Sequence, residues 1–205
     1  MAGNSTNSTA STDSDGDAAP TRKALILESA VELFRRKGYE ATGIDEIGAA
    51  AGITGPGVYR HYGSKQEILD EVVRQSAAVV LQHADRIVEG KLAARDQLDA
   101  LVDGLVDDVL VRPDMVTVLL RERRHLSPNG KRTWTRSVSD YQAEWFATVS
   151  ELRPDLSESE LDAAVWMAIG MALAAAQYDR SFPREKLAPL LHDMLVGALL
   201  GPDGR

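Results

Sequence analysis

The sequence predicts an all-α protein of about nine helices, divided into an N-terminal head and a larger C-terminal body. Apolar residues recur at the three- and four-residue spacing of a helix from Thr21 onward, and the alternation typical of a β-strand is nearly absent. Glycine, proline and small polar residues stand between these periodic stretches, where helices begin and end. The length of 205 residues suits a small head joined to one larger unit.

The first two helices are marked at both ends. The first is predicted to begin after Thr21, which suits an N-cap, and to end at Gly38, which follows a basic last turn. A short second helix is expected after Thr42, which could cap it. Gly52 is expected to end this helix, because glycine can adopt the positive φ of a sharp turn.

A third short helix is predicted to begin at Thr54 and to carry Pro56 in its first turn, where a missing N–H costs no hydrogen bond. Val58 and Tyr62 lie four residues apart and are its predicted core residues. Gly48 is small where the second helix would cross the third. Together these features predict a helix-turn-helix.

The remaining helices form the body. The sequence SKQE at residues 64–67 is a capping box, and it predicts a fourth helix that could run to about Glu89. Further helices are predicted at residues 92–111, 114–123, 131–152, 157–178 and from 183 onward. The predicted domains are therefore a tail at 1–20, a head at 21–73 and a body at 74–205.

Composition excludes several classes of protein. Residues 1–19 contain mainly Asn, Ser, Thr, Gly, Ala and Asp, which predicts a disordered tail. The absence of cysteine excludes disulfides, zinc ribbons and thiol catalysis. No apolar stretch is long enough to span a bilayer and no signal peptide pattern is present, so we expect a soluble, cytoplasmic protein without membrane contact.

The body carries a stripe of large side chains that suits a ligand cavity. Trp134, Tyr141 and Trp145 fall on one face of the long helix at 131–152, and Arg123 could supply a polar end for an anionic ligand. The alternatives are that the stripe is plain core and that the basic turn is solvated. The predicted ligand-binding residues are Met115, Leu119, Arg123, Trp134, Tyr141, Trp145, Trp166 and Met171.

The last two helices are predicted to form a homodimer interface. The final helix is apolar around more than one face, and such a helix needs a second neighbour. We expect that one subunit cannot cover the whole of its leucine row, so that two copies form a four-helix bundle across a two-fold axis. The row consists of Leu187, Leu191, Leu195 and Leu199.

Residues 21 to about 73 resemble the N-terminal head of the TetR family of transcriptional regulators. The stretch AVELFRRKGYEATGIDEIGAAAGITGPGVYRHYGSKQEIL has the family's pattern of LF, GY, a central I, AGI, an aromatic pair around YRH, and SK followed by an acidic residue. The resemblance implies an all-helical homodimer with a DNA-binding head on each subunit. It also implies a C-terminal body that binds a small ligand and thereby releases DNA.

On this basis the head is predicted to bind double-stranded DNA through nine residues. Residues 21–70 carry seven basic and seven acidic side chains, so the head repels phosphate less than the rest of this chain of net charge −8. Tyr59 and Lys65 are expected to contact phosphate, and Arg60 is expected to help read the sequence. The predicted DNA-binding residues are Thr42, Thr54, Gly55, Pro56, Gly57, Tyr59, Arg60, His61 and Lys65.

Two of these positions leave alternatives open, and two glycines depart from the commonest pattern of the family. Thr54 could cap its helix or contact a base, and His61 could contact phosphate or pack in a partly buried position. Gly55 and Gly57 stand where many family members carry side chains that read base edges. This recognition helix therefore has few side chains with which to read DNA, so backbone approach and DNA shape are expected to contribute.

The sequence therefore predicts a ligand-responsive transcriptional regulator. We expect a repressor that a small apolar or amphipathic effector, with a polar or anionic end, releases from a palindromic operator. The alternative is a ligand carrier whose head no longer binds DNA specifically. Enzymatic function is not expected, because the four histidines are dispersed and no catalytic motif is present. No cofactor and no metal ion are predicted.

Overall fold

The computed structural model describes residues 20–89, 92–177 and 182–201, and in these ranges the chain forms nine α-helices and no strand. The all-α prediction is therefore confirmed. The predicted disordered tail and the expected end of the eighth helix at Tyr178 lie outside the described residues. The helices are α1 (Arg22–Lys37), α2 (Ile44–Ala50), α3 (Gly55–Val58), α4 (Lys65–Glu89), α5 (Ala94–Val111), α6 (Pro113–Glu122), α7 (Pro128–Leu152), α8 (Glu158–Ala175) and α9 (Arg184–Leu200).

Most helix ends follow the capping pattern of the sequence. The Thr21 hydroxyl accepts a hydrogen bond from the N–H of Ala24 at 3.2 Å, and Gly38 ends α1 with φ 87°. At the start of α8 the carboxylate of Glu160 accepts from the N–H of Ser157 at 2.8 Å. A short 3-10 turn, Arg123–His125, separates α6 from α7.

Helix α2 begins differently from the prediction. Its N-cap is Gly43, whose N–H donates to the Glu46 carboxylate at 2.8 Å. Thr42 is buried, and its hydroxyl donates to the carbonyl oxygen of Gly38 at 2.8 Å. The prediction that Thr42 caps α2 is wrong, because this hydroxyl instead bonds back to the end of α1.

Two apolar cores organise the described part of the chain. The head core contains side chains of α1 to α4 together with Val118, Leu119 and Leu126, which come from α6 and the turn after it. The body core is formed by α5, α7, α8 and α9. Helix α4 runs without interruption past residue 73, where the sequence placed the end of the head. Head and body are therefore joined by one continuous helix and by shared packing.

The leucine row of α9 faces its own subunit. Leu191, Leu195 and Leu199 are buried in the body core, where α9 packs against α5 and α8. For these three leucines the prediction of cover by a second subunit is wrong, because α5 and α8 already cover them, whereas Leu187, the first of the row, is only half-buried. None of the described helices is long and apolar enough to cross a membrane.

Candidate nucleic-acid interface and ligand cavity

Helices α2 and α3 cross closely at a glycine. A Cβ atom on Gly48 would lie 2.9 Å from the carbonyl carbon of Thr54 and 3.0 Å from the carbonyl oxygen of Ile53. Gly52, in the turn between the helices, has φ 68°. The sequence therefore needs glycine at one position for close approach and at the other for backbone conformation.

Helix α3, the predicted recognition helix, is only one turn long, and several of the predicted contact residues come directly after it in the chain. The Thr54 hydroxyl accepts from the N–H of Gly57 at 3.2 Å, so Thr54 is the N-cap, and it remains exposed. Val58 and Tyr62 are buried, as the sequence predicted. Tyr59 is 55% exposed, and Arg60 and His61 are exposed beside it. Thr54, Tyr59, Arg60 and His61, which the sequence predicted as contact residues, are therefore all exposed.

The two glycines of α3 have different surroundings. Gly55 is buried, and a Cβ atom there would lie 1.8 Å from a carboxylate oxygen of Asp45. Gly57 is half-buried, and a Cβ atom there would make ordinary contacts, at 3.4 Å or more, with Thr54 and Ile53. Pro56 between them is exposed. Gly55 therefore accommodates Asp45 within the protein, and Gly57 is the position with room for a side chain.

Lys65 is held by the head itself. Its ammonium group donates to the carbonyl oxygens of Tyr39 at 2.7 Å and Thr42 at 2.8 Å, and it lies 4.2 Å from the centre of the Tyr39 ring. These bonds tie the start of α4 to the loop between α1 and α2. Contact between this ammonium group and a phosphate would have to compete with them, so Lys65 has a structural role beside the predicted one.

A ring stack joins this loop to the body. The rings of Tyr39 and His125 are 4.7 Å apart, and Nδ1 of His125 lies 3.1 Å from the Glu40 carboxylate. Burial raises the pKa of Tyr39, and the Glu40 charge adds to this effect. Gln66 donates to the carbonyl oxygen of His125 at 2.9 Å. The turn after α6 is therefore docked on the end of the head that carries the candidate interface.

A cavity of about 250 Å³ lies between helices α4 to α8, and its wall is predominantly apolar. Arg123 and Tyr141 supply polar groups to it. Six of the eight predicted ligand-binding residues line it: Met115, Leu119, Arg123, Trp134, Tyr141 and Trp166. Trp145 and Met171 do not, because Trp145 is fully buried in the body core and Met171 packs against that core.

The sequence did not predict the polar pair on the cavity wall. Arg112 and Asp108 both line the cavity and form an ion pair at 3.1 Å. Their spacing of four residues on α5, next to the buried Leu105 and Val109, was the available signal. Burial raises the pKa of Tyr141, so its hydroxyl stays protonated at neutral pH and can donate a hydrogen bond.

The cavity wall and the head core share side chains. Val73 of α4 and Leu119 of α6 are buried in the head core, and both also line the cavity. Met115 and Trp134 pack against the head core and line the cavity as well. A molecule in the cavity would therefore touch residues that support the head.

Comparison with known proteins identifies the family. Residues 26–72 match the family description "Bacterial regulatory proteins, tetR family", and residues 91–177 match "Tetracyclin repressor-like, C-terminal domain". The transcriptional repressor KstR2 of Mycobacterium tuberculosis is 37% identical over 143 residues, which are 66% of this chain and 72% of that protein. The chain belongs to the TetR family of bacterial regulatory proteins.

Other relatives agree with this assignment. KstR2 of Rhodococcus jostii is 27% identical over 129 residues, or 62% of this chain, and the match spans just under two thirds, 63%, of that relative. The solved ketosteroid regulator KstR2 of M. tuberculosis has a TM-score of 0.77 at 20% identity, covering 86% of this chain and 94% of its own. AibR, solved with isovaleryl coenzyme A and operator DNA, has a TM-score of 0.72 at 20% identity, covering 85% and 97%. At these identities the solved structures show a common fold.

The described residues contain no cluster of His, Cys, Asp or Glu side chains suited to a metal ion. The relatives named above are transcriptional regulators rather than enzymes.

Proposed function

We propose that this protein is a ligand-responsive DNA-binding regulator, a repressor that leaves its operator when an effector fills the cavity between α4 and α8. Membership of the TetR family and its named repressor relatives support the DNA-binding role. The observation that carries the ligand response is the wall shared by cavity and head core. Because Leu119 and Val73 belong to both, an effector that displaces them also repacks the head.

The cavity suits an apolar effector with one polar or anionic end. Most of its wall is apolar, and Arg123 is an exposed cation at its edge, whereas Arg112 is neutralised by Asp108. One relative is named as a ketosteroid transcriptional regulator, and AibR was solved in complex with isovaleryl coenzyme A. Ketosteroids and isovaleryl coenzyme A both combine an apolar part with polar groups, so a steroid and isovaleryl coenzyme A are the first probes to test.

We further propose a homodimer, through a face different from the leucine row. Trp166 and Met167 on α8 are 49% and 68% exposed, and Leu190 and Met194 on α9 are 51% and 50% exposed. In this proposal a second copy buries these exposed apolar side chains of the last two helices. A two-fold axis between copies would place two heads on DNA, so the operator should be a palindrome.

The experiment begins with DNA selected from random duplexes by the wild-type protein, and with fluorescence anisotropy of the selected duplex during titration with each probe. Ser137 lines the cavity, whereas Ser139, two residues along α7, is exposed. Ser137→Trp should keep DNA affinity and lose the effector response, and Ser139→Trp should keep both. An equal response in the two variants would place the effector outside the cavity.

The alternative is a ligand carrier without specific DNA binding. Helix α3 favours this alternative, because it is only four residues long and two of these, Gly55 and Gly57, have no side chain that could contact a base. It predicts that the wild-type protein enriches no duplex from the random pool, while a probe still raises its thermal unfolding midpoint.

A further inference from the structure

The positive charge of this acidic protein is concentrated at the junction of head and body. Residues 121–136, named here the cationic segment, carry six Lys and Arg side chains, whereas the chain as a whole has a net charge of −8. The one acidic residue of the segment, Glu122, is buried. All six cations are exposed: Arg121, Arg123, Arg124, Lys131, Arg132 and Arg136.

None of these six cations forms an ion pair with a described residue. Their polar contacts are not with carboxylates: Arg121 donates to the carbonyl oxygen of Arg35 at 3.2 Å, and Arg124 donates to Nε2 of His125 at 2.9 Å. Elsewhere in the body arginines are paired with aspartates, as in Arg153 with Asp155 at 2.8 Å. The positive charge of the segment is therefore left for an anion that is not part of the described chain.

The head has little free positive charge of its own. Arg35 pairs with Asp114 of α6 at 3.1 Å, Arg36 lies 3.9 Å from Glu32, and Lys37 pairs with Glu46. The Lys65 ammonium group is bound to carbonyl oxygens. Among the described residues, only three of the seven head cations, Arg22, Lys23 and Arg60, have neither an acidic partner nor that carbonyl cage. Phosphate attraction by the head alone is therefore weak for a protein of this net charge.

The cationic segment is docked beside the part of the head expected to face DNA. His125 stacks on Tyr39, and the N–H of Ser127 donates to the Asp70 carboxylate at 3.1 Å. Asp70 lies five residues after Lys65, the first residue of α4, which is about 7.5 Å along the helix at 1.5 Å per residue. Ser127 of the segment therefore docks about one and a half turns from the predicted phosphate-binding end of α4.

We propose that the cationic segment binds the DNA phosphate backbone just outside the half-site read by the head, so that the body also contacts the operator. This inference rests on the proposed DNA-binding function. Charge complementarity identifies the partner, because a polyanion with regularly spaced phosphates matches several unpaired cations spread over successive turns. These contacts carry no sequence information, and they lengthen the bound duplex on each side.

The experiment compares long and trimmed duplexes. The selected operator is prepared with about ten additional base pairs on each side, or with none, and affinity is measured at several salt concentrations. The test variant replaces Arg124, Lys131 and Arg132 with Ala. A control variant makes the same change in net charge outside the cationic segment, by replacing the exposed Arg95, Arg184 and Lys186 of α5 and α9 with Ala.

On the long duplex the test variant should bind more weakly than the wild type. The slope of the logarithm of its binding constant against the logarithm of salt concentration should be less steep by about 0.9 for each phosphate that it no longer neutralises. The relevant quantity is the ratio of the affinity at 50 mM salt to the affinity at 200 mM salt. Removal of three cations from each subunit of a dimer should make this ratio smaller by up to about a thousandfold. On the trimmed duplex the test variant should match the wild type, and the control variant should match it on both duplexes.

The inference is overturned if the test variant behaves like the control on the long duplex, or loses the same affinity on both lengths. It is also overturned if DNA affinity is unchanged while binding of isovaleryl coenzyme A falls, since the segment would then hold the phosphates of an effector. A wild-type protein that selects no duplex refutes the proposed function itself. Unchanged DNA binding by the test variant alone refutes only the contribution of the body.

Discussion

Gly48→Ala is expected to destabilise the head, although alanine favours helices. The added Cβ would lie 2.9 to 3.0 Å from three backbone atoms, in Ile53, Thr54 and Gly55. Backbone atoms cannot rotate away as a side chain can, so overpacking should cost about 1–3 kcal/mol. Helix propensity returns up to about 1 kcal/mol. With the full propensity gain subtracted, the net expectation is a loss of about 0–2 kcal/mol in the free energy of unfolding.

Gly57→Ala provides the matched control in the neighbouring helix. Its Cβ would make contacts of 3.4 Å or more, so only the propensity gain of about 0.5–1 kcal/mol should remain. Urea denaturation followed by circular dichroism measures both changes, and the Gly48 variant should also bind the selected operator more weakly. If Gly48→Ala proves as stable as Gly57→Ala, the α2–α3 crossing has room for a Cβ atom and does not require glycine at position 48.

Lys65→Ala should lower the thermal unfolding midpoint, because carbonyl oxygens in the α1–α2 loop lose their donor. Arg60→Ala should leave this midpoint unchanged. It should reduce the free-energy difference between operator and random-duplex binding by about 1–3 kcal/mol per half-site. Burial raises the pKa of Tyr62 to about 12 from 10.0, so the unfolded chain loses this proton at a lower pH than the folded chain. The resulting contribution to the free energy of unfolding is present below pH 10 and should be lost as the pH rises towards 12. Tyr62→Phe should therefore show a smaller loss of stability over this pH range in urea titrations. Trp145→Ala should destabilise the body by about 3–5 kcal/mol in the same assay, since the side chain is fully buried, while Trp134→Ala should mainly weaken effector binding in calorimetry. Met167→Glu with Met194→Glu should halve the mass in light scattering from about twice 22.2 kDa, and a surviving dimer would reject that interface.

The sequence predicted the helices well because their ends are chemically marked. Thr21, Gly38 and the Ser157 capping box all lie at the observed ends. The prediction that Thr42 caps α2 was wrong because a threonine hydroxyl can either donate to an earlier carbonyl oxygen or accept from a later N–H. The sequence does not show which of these hydrogen bonds forms.

Packing partners were harder to predict. Leu191, Leu195 and Leu199 are apolar in sequence, but apolar character does not show whether a neighbouring helix or a second subunit covers them. Trp145 and Trp134 share a helix face, yet only Trp134 lines the cavity. The carbonyl bonds of Lys65 join residues 23 and 26 positions apart, and sequence spacing carries no signal for such contacts.

Because the cavity and the head core share a wall, the thermal stability of the protein and its response to an effector are expected to oppose each other. Val73 and Leu119 belong to the head core and also line the cavity, so larger side chains in the cavity would add packing contacts to both. Substitutions that fill this space would make the protein more resistant to heat, but they would occupy the volume an effector needs. Selection for thermal tolerance in this chain should therefore act against inducibility, and variants recovered for higher stability should be enriched in regulators that no longer respond.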